Sequence, residues 1–163
     1  MADETEYSEE RIRRGLARLL TAAVGASGRA KCDVAADARL HKDALRRVLQ
    51  GERSATLGEA LRILEASLAA PRAHMLLFLV CGEDQAIDWL QSELAEFFEE
   101  FSAEFPQALQ RSLGDSVGEV KSRWAKGTAN RVARMLADHI NELARKDPLL
   151  GTFLAGGREI ANG

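Results

Sequence analysis

Residues 31–51 read Lys31-Cys-Asp-Val-Ala-Ala-Asp-Ala-Arg-Leu-His-Lys-Asp-Ala-Leu-Arg-Arg-Val-Leu-Gln-Gly51. Apolar residues recur in this stretch at helical spacing and predict two short helices, at residues 31–38 and 41–50. The side chains expected to face inward are Val34, Ala35, Ala38, Leu40, Leu45 and Val48. Gly51 is expected to end the second helix, because glycine is the commonest residue just past a helix C-terminus. Two short helices joined by a tight turn are typical of a helix-turn-helix unit.

The sequence around this unit predicts three further helices. Residues 9–24 form an amphipathic helix whose apolar face carries Ile12, Leu16, Leu19, Leu20 and Val24. Thr56-Leu57-Gly58-Glu59 is a capping-box pattern and opens another helix. Its expected inward residues are Leu57, Ala60, Leu61, Leu64 and Leu68. Pro71 is expected to start a largely apolar helix that runs to Cys81 and ends at Gly82.

The second half of the chain predicts two longer helices of opposite charge. Residues 83–104 contain eight acidic and no basic residues, and we expect Pro106 to end this helix. Its apolar seam has the spacing of a heptad pattern and consists of Ile87, Leu90, Leu94, Phe97, Phe101 and Phe105. Residues 115–146 predict a basic helix with the apolar stripe Val117, Val120, Trp124, Val132, Leu136, Ile140 and Leu143. The opposite charges favour an antiparallel pair, within one subunit or across a dimer.

Composition limits the class of protein. The 163 residues are 46% hydrophobic, which is enough for a core and excludes wholesale disorder. No apolar run approaches the roughly 18 residues of a membrane span, and the acidic N-terminus is not a secretory signal. The two cysteines fit a reducing, cytoplasmic compartment. We predict an all-α fold with four parts: an acidic flexible N-terminus (1–8), a five-helix helix-turn-helix domain (9–70), a helical dimerisation or partner-binding region (71–150) and a flexible tail (151–163).

The formal net charge of -3 hides a strong asymmetry along the chain. Residues 11–70 contain 12 basic and 6 acidic residues, a net charge of +6. Residues 1–10 carry −5 and residues 71–163 carry −4. A basic block joined to an acidic remainder is typical of a nucleic-acid-binding module attached to another module. An ordinary solvated surface is the alternative interpretation of the same charges.

The stretch from Ala44 to Leu68 resembles the Cro/repressor family, also called the xenobiotic-response-element family, over about residues 9–70. There the recognition helix ends at a glycine, and a capped, Leu-rich helix follows a polar loop. The resemblance implies that residues 41–50 lie in the major groove of DNA. The base-reading positions match Lys42, Asp43, Arg46 and Arg47, and the phosphate-contact positions match Lys31, Arg39, His41 and Arg53.

Two positions depart from the family pattern. Arg39 lies in the turn, where the family usually has glycine, and His41 lies at the helix N-cap, where Ser or Thr is usual. The family also acts as dimers that read two half-sites about 34 Å apart. The expected dimerisation residues are Leu90, Leu94, Phe97, Phe101, Trp124, Val132, Leu136 and Ile140. The same residues could instead form a core within one chain, or a ligand or partner pocket lined by Trp89, Phe97, Phe98 and Trp124.

The sequence thus predicts a cytoplasmic, homodimeric, sequence-specific DNA-binding transcriptional regulator of bacterial or phage type. The alternative is a protein-interaction adaptor with a degenerate helix-turn-helix, which binds a partner through the acidic 83–104 helix. We predict no enzymatic activity, no cofactor, no metal site and no membrane contact. The three histidines are scattered, the two cysteines lie far apart in the sequence, and no phosphate-binding glycine loop is present.

Overall fold

The computed structural model describes residues 8–146, and every regular element in that range is a helix. The prediction of an all-α fold is therefore confirmed. The flexible N-terminus predicted for residues 1–8 falls outside this range except for Ser8, and the tail predicted for 151–163 falls wholly outside it. The chain divides into two compact units, with the boundary after Ala108.

Four helices cover the basic block: α1 (Glu9–Ala26), α2 (Lys31–Asp37), α3 (Lys42–Leu49) and α4 (Leu57–Ala66). Helix α1 begins at Ser8, whose hydroxyl accepts a hydrogen bond from the Arg11 amide at 3.2 Å. The capping box at α4 is also present, and Gly51 follows α3 with a positive φ of 70°. Local signals in the sequence therefore predicted these helix boundaries to within two residues.

The core of the first unit lies where α1–α4 pack on one another. Its largest fully buried apolar side chains are Leu19, Leu20, Val34, Leu45, Val48, Ile63, Leu64 and Leu77. The prediction was wrong for Leu57 and Leu68, which are 63% and 77% exposed, and for Ile12, which is also exposed. Leu57 is the first residue of α4, and Leu68 lies beyond its end with a φ of +59°. Neither position continues the buried stripe of the helix.

Two more helices extend the same core. They are α5 (Pro71–Cys81) and α6 (Glu83–Asp88), joined by Gly82 with a φ of +90°. Helix α6 packs on α1 and α5. The Arg18 guanidinium of α1 bonds the carboxylates of Glu83 at 2.8 Å and Asp84 at 3.0 Å. These pairs hold the turn between α5 and α6 against the first helix.

Gly15 marks the closest approach between α1 and this pair of helices. A Cβ atom placed on Gly15 would lie 3.1 Å from the Phe78 ring and 3.2 Å from the Glu83 carboxylate. These distances are tighter than nearly all real Cβ contacts. Glycine inside a helix costs about 1 kcal/mol relative to alanine, so its presence here reflects the close packing.

His74 of α5 is the one buried ionisable side chain among residues 8–146. Burial lowers its pKa below 6.5, and the Ala86 carbonyl and the Glu99 carboxylate oppose this effect. Its Nδ1 atom has no hydrogen-bond partner. We therefore treat His74 as a neutral imidazole of the core.

The acidic helix predicted over 83–104 is wrong in its boundaries. The chain leaves α6 at Trp89, and α7 (Glu93–Leu113) begins after Ser92, whose hydroxyl accepts from the Leu94 amide at 3.1 Å. Pro106 lies inside α7 and does not end it. A proline removes one backbone hydrogen bond from a helix. Because α7 continues for several residues on both sides of Pro106, its other hydrogen bonds maintain the helix.

The long helix predicted over residues 115–146 is also wrong in its first third. Two short 3-10 helices, Gly114–Glu119 and Ser122–Trp124, precede α8 (Ala125–Lys146). Gly114 has a φ of +53°, and Val120 and Lys121 have extended backbone. Glycine, serine and β-branched residues in this segment are weak helix formers, which explains the interruption.

Candidate nucleic-acid interface

The turn between α2 and α3 is tight. The Leu40 amide donates to the Ala35 carbonyl at 2.8 Å, and the Arg39 amide donates to the Ala36 carbonyl at 3.0 Å. Arg39 has a φ of +55°, in the left-handed region that glycine adopts most readily. The chain therefore forms this turn with a residue that costs on the order of 1 kcal/mol there.

Helix α3 begins with an unusual cap. The His41 imidazole accepts, through Nδ1, a hydrogen bond from the Asp43 amide at 3.3 Å. A serine or threonine hydroxyl satisfies the same orphan amide in most helices. The cap uses an unprotonated Nδ1, and the Asp43 carboxylate lies 3.7 Å from the same atom. His41 is therefore a structural part of the α3 N-terminus as well as an exposed side chain.

The two faces of α3 differ sharply. Leu45 and Val48 point into the core and are fully buried. The four residues predicted to read bases are all exposed, and they are Lys42, Asp43, Arg46 and Arg47. Positions separated by four residues lie on one face of a helix, so these side chains form one charged surface. The structure thus brings the predicted base-reading residues together on the solvent side of α3.

Glu52 is a member of this surface that sequence reasoning missed. Its carboxylate lies 3.7 Å from Nη1 of Arg46 and 3.8 Å from Nε of Arg47. The Arg46 guanidinium also donates to the Gln50 side chain at 2.5 Å. The signal available in the sequence was an acidic residue directly after Gly51, where the loop folds back toward the helix. Glu52 partly neutralises the charge of both arginines.

Arg53, predicted to contact phosphate, is tied into the start of α4. Its Nη2 atom donates to the Glu59 carboxylate at 2.8 Å. The same carboxylate accepts from the Thr56 amide at 2.9 Å, and the Thr56 hydroxyl accepts from the Glu59 amide at 3.2 Å. The hydrogen bond from Arg53 is the main reason that the pKa of Glu59 is lowered below 4.5, with a contribution from Thr56 and opposition from burial. Arg53 therefore anchors the loop that follows α3.

Other arginines of the basic block also serve the fold. Arg29 donates to the Ala66 carbonyl at 2.5 Å and pairs with Asp37 at 2.6 Å. Arg62 donates to the Ala38 carbonyl at 2.9 Å and so links α4 to the end of α2. Arg29 and Arg62 are therefore held by contacts within the first unit, while the net charge of +6 already counts Asp37.

The remaining phosphate-contact candidates are exposed. Lys31 is the first residue of α2, and Arg39 and His41 lie in and just after the turn. Arg39 and His41 lie directly before α3, and Lys31 lies at the start of α2, which packs on α3. This placement suits side chains that would hold the backbone of a nucleic acid while α3 lies in a groove.

The predicted dimerisation residues fall into two groups. Leu90 packs against the core of the first unit, whereas Leu94 and Phe97 of α7 are exposed. The rings of Phe97, Phe101 and Phe105 stack along α7, with centroid separations of 6.1 and 5.2 Å.

The other four predicted dimerisation residues lie in the second unit. Trp124 and Ile140 are exposed, and Val132 and Leu136 are partly exposed. Of the predicted pocket residues, Trp89 and Phe98 form an edge-to-face pair of the first unit at 6.2 Å, while Trp124 belongs to the second unit.

Searches of protein-family models, of curated proteins and of solved structures give no match to this chain. Over residues 8–146, no cluster of three or more His, Cys, Asp or Glu side chains could hold a metal ion. Across the same part of the chain, none of the helices has both the length and the hydropathy needed to cross a bilayer.

Proposed function

We propose that this chain is a sequence-specific DNA-binding transcriptional regulator, which acts as a cytoplasmic dimer and places α3 in the major groove. One observation carries the proposal. Helix α3 exposes four charged side chains on the face opposite its two buried ones, directly after a tight turn with a left-handed residue. A rigid, charged helix supported by a packed core is what groove recognition requires.

The exposed side chains have the chemistry of base recognition. Arg46 and Arg47 each carry a planar guanidinium, which pairs with the O6 and N7 atoms of guanine in a bidentate manner. The Lys42 ammonium can donate to the same two guanine atoms. The Asp43 carboxylate can accept from the N4 amine of cytosine, and it would repel phosphate, which directs this end of α3 toward bases. We therefore expect a half-site rich in G·C pairs.

Glu52 adds a competitor inside the protein. Its carboxylate holds both arginines at 3.7–3.8 Å, so each guanidinium must leave Glu52 to pair with guanine. Phosphate and guanine can each accept two hydrogen bonds from a guanidinium, so Glu52 competes with both kinds of contact. We expect Glu52 to weaken DNA binding through Arg46 and Arg47.

Lys31, Arg39 and His41 would contact the phosphate backbone on the flank of α3. Their role is to fix orientation, because phosphate contacts carry no sequence information. Arg53 keeps its bond to Glu59 in this proposal and positions the loop, so its side chain adds little to DNA affinity. One α3 reads only a few base pairs, and the proposed dimer supplies a second copy about 34 Å away.

The first test is selection of bound sequences from random DNA duplexes, followed by affinity measurements across a salt series. The proposal predicts a palindromic consensus and an affinity that falls steeply as salt increases, since each neutralised phosphate contributes a slope of about −0.9. Weak binding that is insensitive to both sequence and salt would contradict it.

Matched variants separate the two kinds of contact. Arg47→Ala should cost about 1–3 kcal/mol at the selected site and relax its sequence preference. Lys31→Ala should weaken all duplexes alike and reduce the salt slope by about 1. Arg145→Ala, an exposed arginine of α8, is the control and should change neither quantity. Equal losses of DNA affinity in all three variants would indicate that binding depends on overall charge and that α3 does not recognise bases.

A second function, docking of a protein partner, is favoured by one observation. Helix α7 exposes Leu94 and Phe97 beside the carboxylates of Glu93, Glu96 and Glu100. Exposed aromatic and aliphatic side chains with an acidic border are typical of a protein-binding surface. Co-purification of a stoichiometric partner, together with failure of the DNA selection, would favour this function over the first.

A further inference from the structure

The second unit has no core of its own within the described residues. Between Leu109 and Lys146 not one residue is buried, and Trp124, Met135, Ile140 and Leu143 are exposed. A helix of 22 residues is not stable in water through its own hydrogen bonds alone, because helix stability in proteins comes from packing of an apolar face. Helix α8 therefore requires a partner surface.

The apolar face of α8 is continuous, and its side chains increase in size along the helix. At 3.6 residues per turn one stripe consists of Ala125, Ala129, Val132, Leu136, Ile140 and Leu143. The side chains become larger from the N-terminal to the C-terminal end. A partner that packs evenly along this stripe must present large side chains to its N-terminal half and small ones to its C-terminal half.

We propose that α8 pairs antiparallel with α8 of a second copy of this chain, with Leu136 on the two-fold axis. An antiparallel copy offers the required complement, because Val132 then faces the second copy's Ile140 and Ala129 faces its Leu143. A parallel copy would place Ala129 against Ala129 and Leu143 against Leu143, leaving a gap at one end. The choice of a second copy also rests on the proposed function, since two reading helices need a two-fold axis.

The charges of α8 are compatible with this pairing. Arg131, Arg134, Asp138, Glu142 and Arg145 lie on the side of the helix away from the stripe. Charges on the far sides of two helices, each about 10 Å wide, are separated by more than the Debye length of about 8 Å, so their repulsion is largely screened.

The borders of the stripe are neutral along most of its length. One border consists of alanines at 133, 137 and 144, which allow close approach of the two backbones. Lys126 and Lys146 lie on opposite borders, so a two-fold axis does not bring them together.

The same pairing is less suited to α7. Its Phe97–Phe101–Phe105 ladder is bordered on one side by Glu100 and Glu104. A two-fold axis through Phe101 would bring these carboxylates toward their own copies, and like charges at helix borders are unfavourable.

Disulfide cross-linking without DNA tests the geometry directly. In a background with Cys32→Ser and Cys81→Ser, Leu136→Cys should cross-link to a covalent dimer, because a residue on the axis meets its own copy. Val132→Cys alone should not, since the two copies of residue 132 would lie about 12 Å apart along the helices. The double variant Val132→Cys, Ile140→Cys should cross-link again.

Sedimentation equilibrium gives the affinity. Leu136→Glu should weaken dimerisation by about 100-fold or more, because it places two carboxylates on the axis and removes two buried leucines. Arg134→Glu on the opposite face is the matched control and should leave the dimer intact. Circular dichroism and thermal unfolding of the first unit distinguish loss of the interface from loss of the fold.

Three results would overturn the proposal. Cross-linking of Val132→Cys alone would mean a parallel pair. A dimer that Leu136→Cys fails to cross-link would mean that another surface, such as α7, holds the copies together. A monomer in which α8 resists hydrogen exchange would mean that the same chain covers the stripe. None of these readouts involves DNA, so the DNA-binding proposal stands or fails independently.

Discussion

The two units of the chain use apolar residues in opposite ways. In residues 8–108 the apolar faces of the helices meet, and Leu19, Leu20, Ile63 and Leu64 are fully buried. In residues 109–146 the helical periodicity of α8 is as clear, yet no residue is buried. Amphipathic periodicity therefore shows that a face is made to be covered, without showing what covers it. The first unit carries its own core, and we expect the second to acquire one by association.

Truncation of one leucine in each unit should give the largest contrast. Leu45→Ala removes a fully buried side chain of α3 and should lower the free energy of unfolding by about 2–5 kcal/mol. The melting temperature of the first unit should therefore fall by about 10 °C or more. Leu136→Ala in α8, measured at concentrations where the chain is monomeric, should change stability by less than about 0.5 kcal/mol. Urea unfolding monitored by circular dichroism measures both, and equal costs would contradict the contrast.

A smaller effect is expected at the Arg53–Glu59 pair, which fastens the loop after α3. Glu59→Gln should cost about 1–3 kcal/mol at pH 7, because the carboxylate accepts bonds from Arg53 and Thr56. Folding lowers the pKa of Glu59 below 4.5. As pH falls, Glu59 is therefore protonated in the unfolded chain before it is protonated in the folded one, and the stabilisation from its hydrogen bonds is lost below about pH 4.5.

The pH dependence of unfolding provides the control for this effect. Wild-type stability should fall between pH 5 and 3 more steeply than that of Glu59→Gln. Glu65→Gln, an exposed carboxylate on the same helix, should retain the wild-type profile. If the two glutamine variants behave alike, the bond from Arg53 does not stabilise the folded loop.

The smallest effect on stability is expected in the turn between α2 and α3. Arg39→Gly should stabilise the first unit by about 0.5–1 kcal/mol, because glycine adopts the left-handed conformation without steric cost. Arg39→Ala keeps the Cβ atom and should give no gain. Both variants should bind DNA more weakly, since both remove the same guanidinium. Thermal unfolding measures the first effect, and a loss of stability in Arg39→Gly would show that the arginine side chain itself supports the turn.

The sequence predicted features that depend on neighbours along the chain. The boundaries of α2 and α3, the stop at Gly51 and the capping box at Thr56 all follow from residues within one or two helical turns of each other. The position of Arg39 in the turn likewise followed from the spacing of the two helices. The exposed face of α3 was predictable because Leu45 and Val48 define the buried one.

Features that depend on distant residues were missed. Arg29, Arg53 and Arg62 are held by groups elsewhere in the first unit, and no spacing rule reveals such partners. Pro106 was expected to end a helix, yet the turns on either side of it continue. Glu99 looked like one more solvated acid, but its carboxylate accepts from the Ala73 amide at 3.1 Å and closes the N-terminus of α5.

Gly15 has a consequence for how this arrangement can vary. Its missing side chain is what lets the pair α5–α6 rest on α1, with the Phe78 ring 3.1 Å from where a Cβ would stand. The packing of α5 and α6 thus depends on a residue of the first helix. A larger residue at position 15 would require the Phe78 ring and the Glu83 carboxylate to move by a few tenths of an ångström. Gly15 therefore makes room for a segment that follows it by some sixty residues in the sequence.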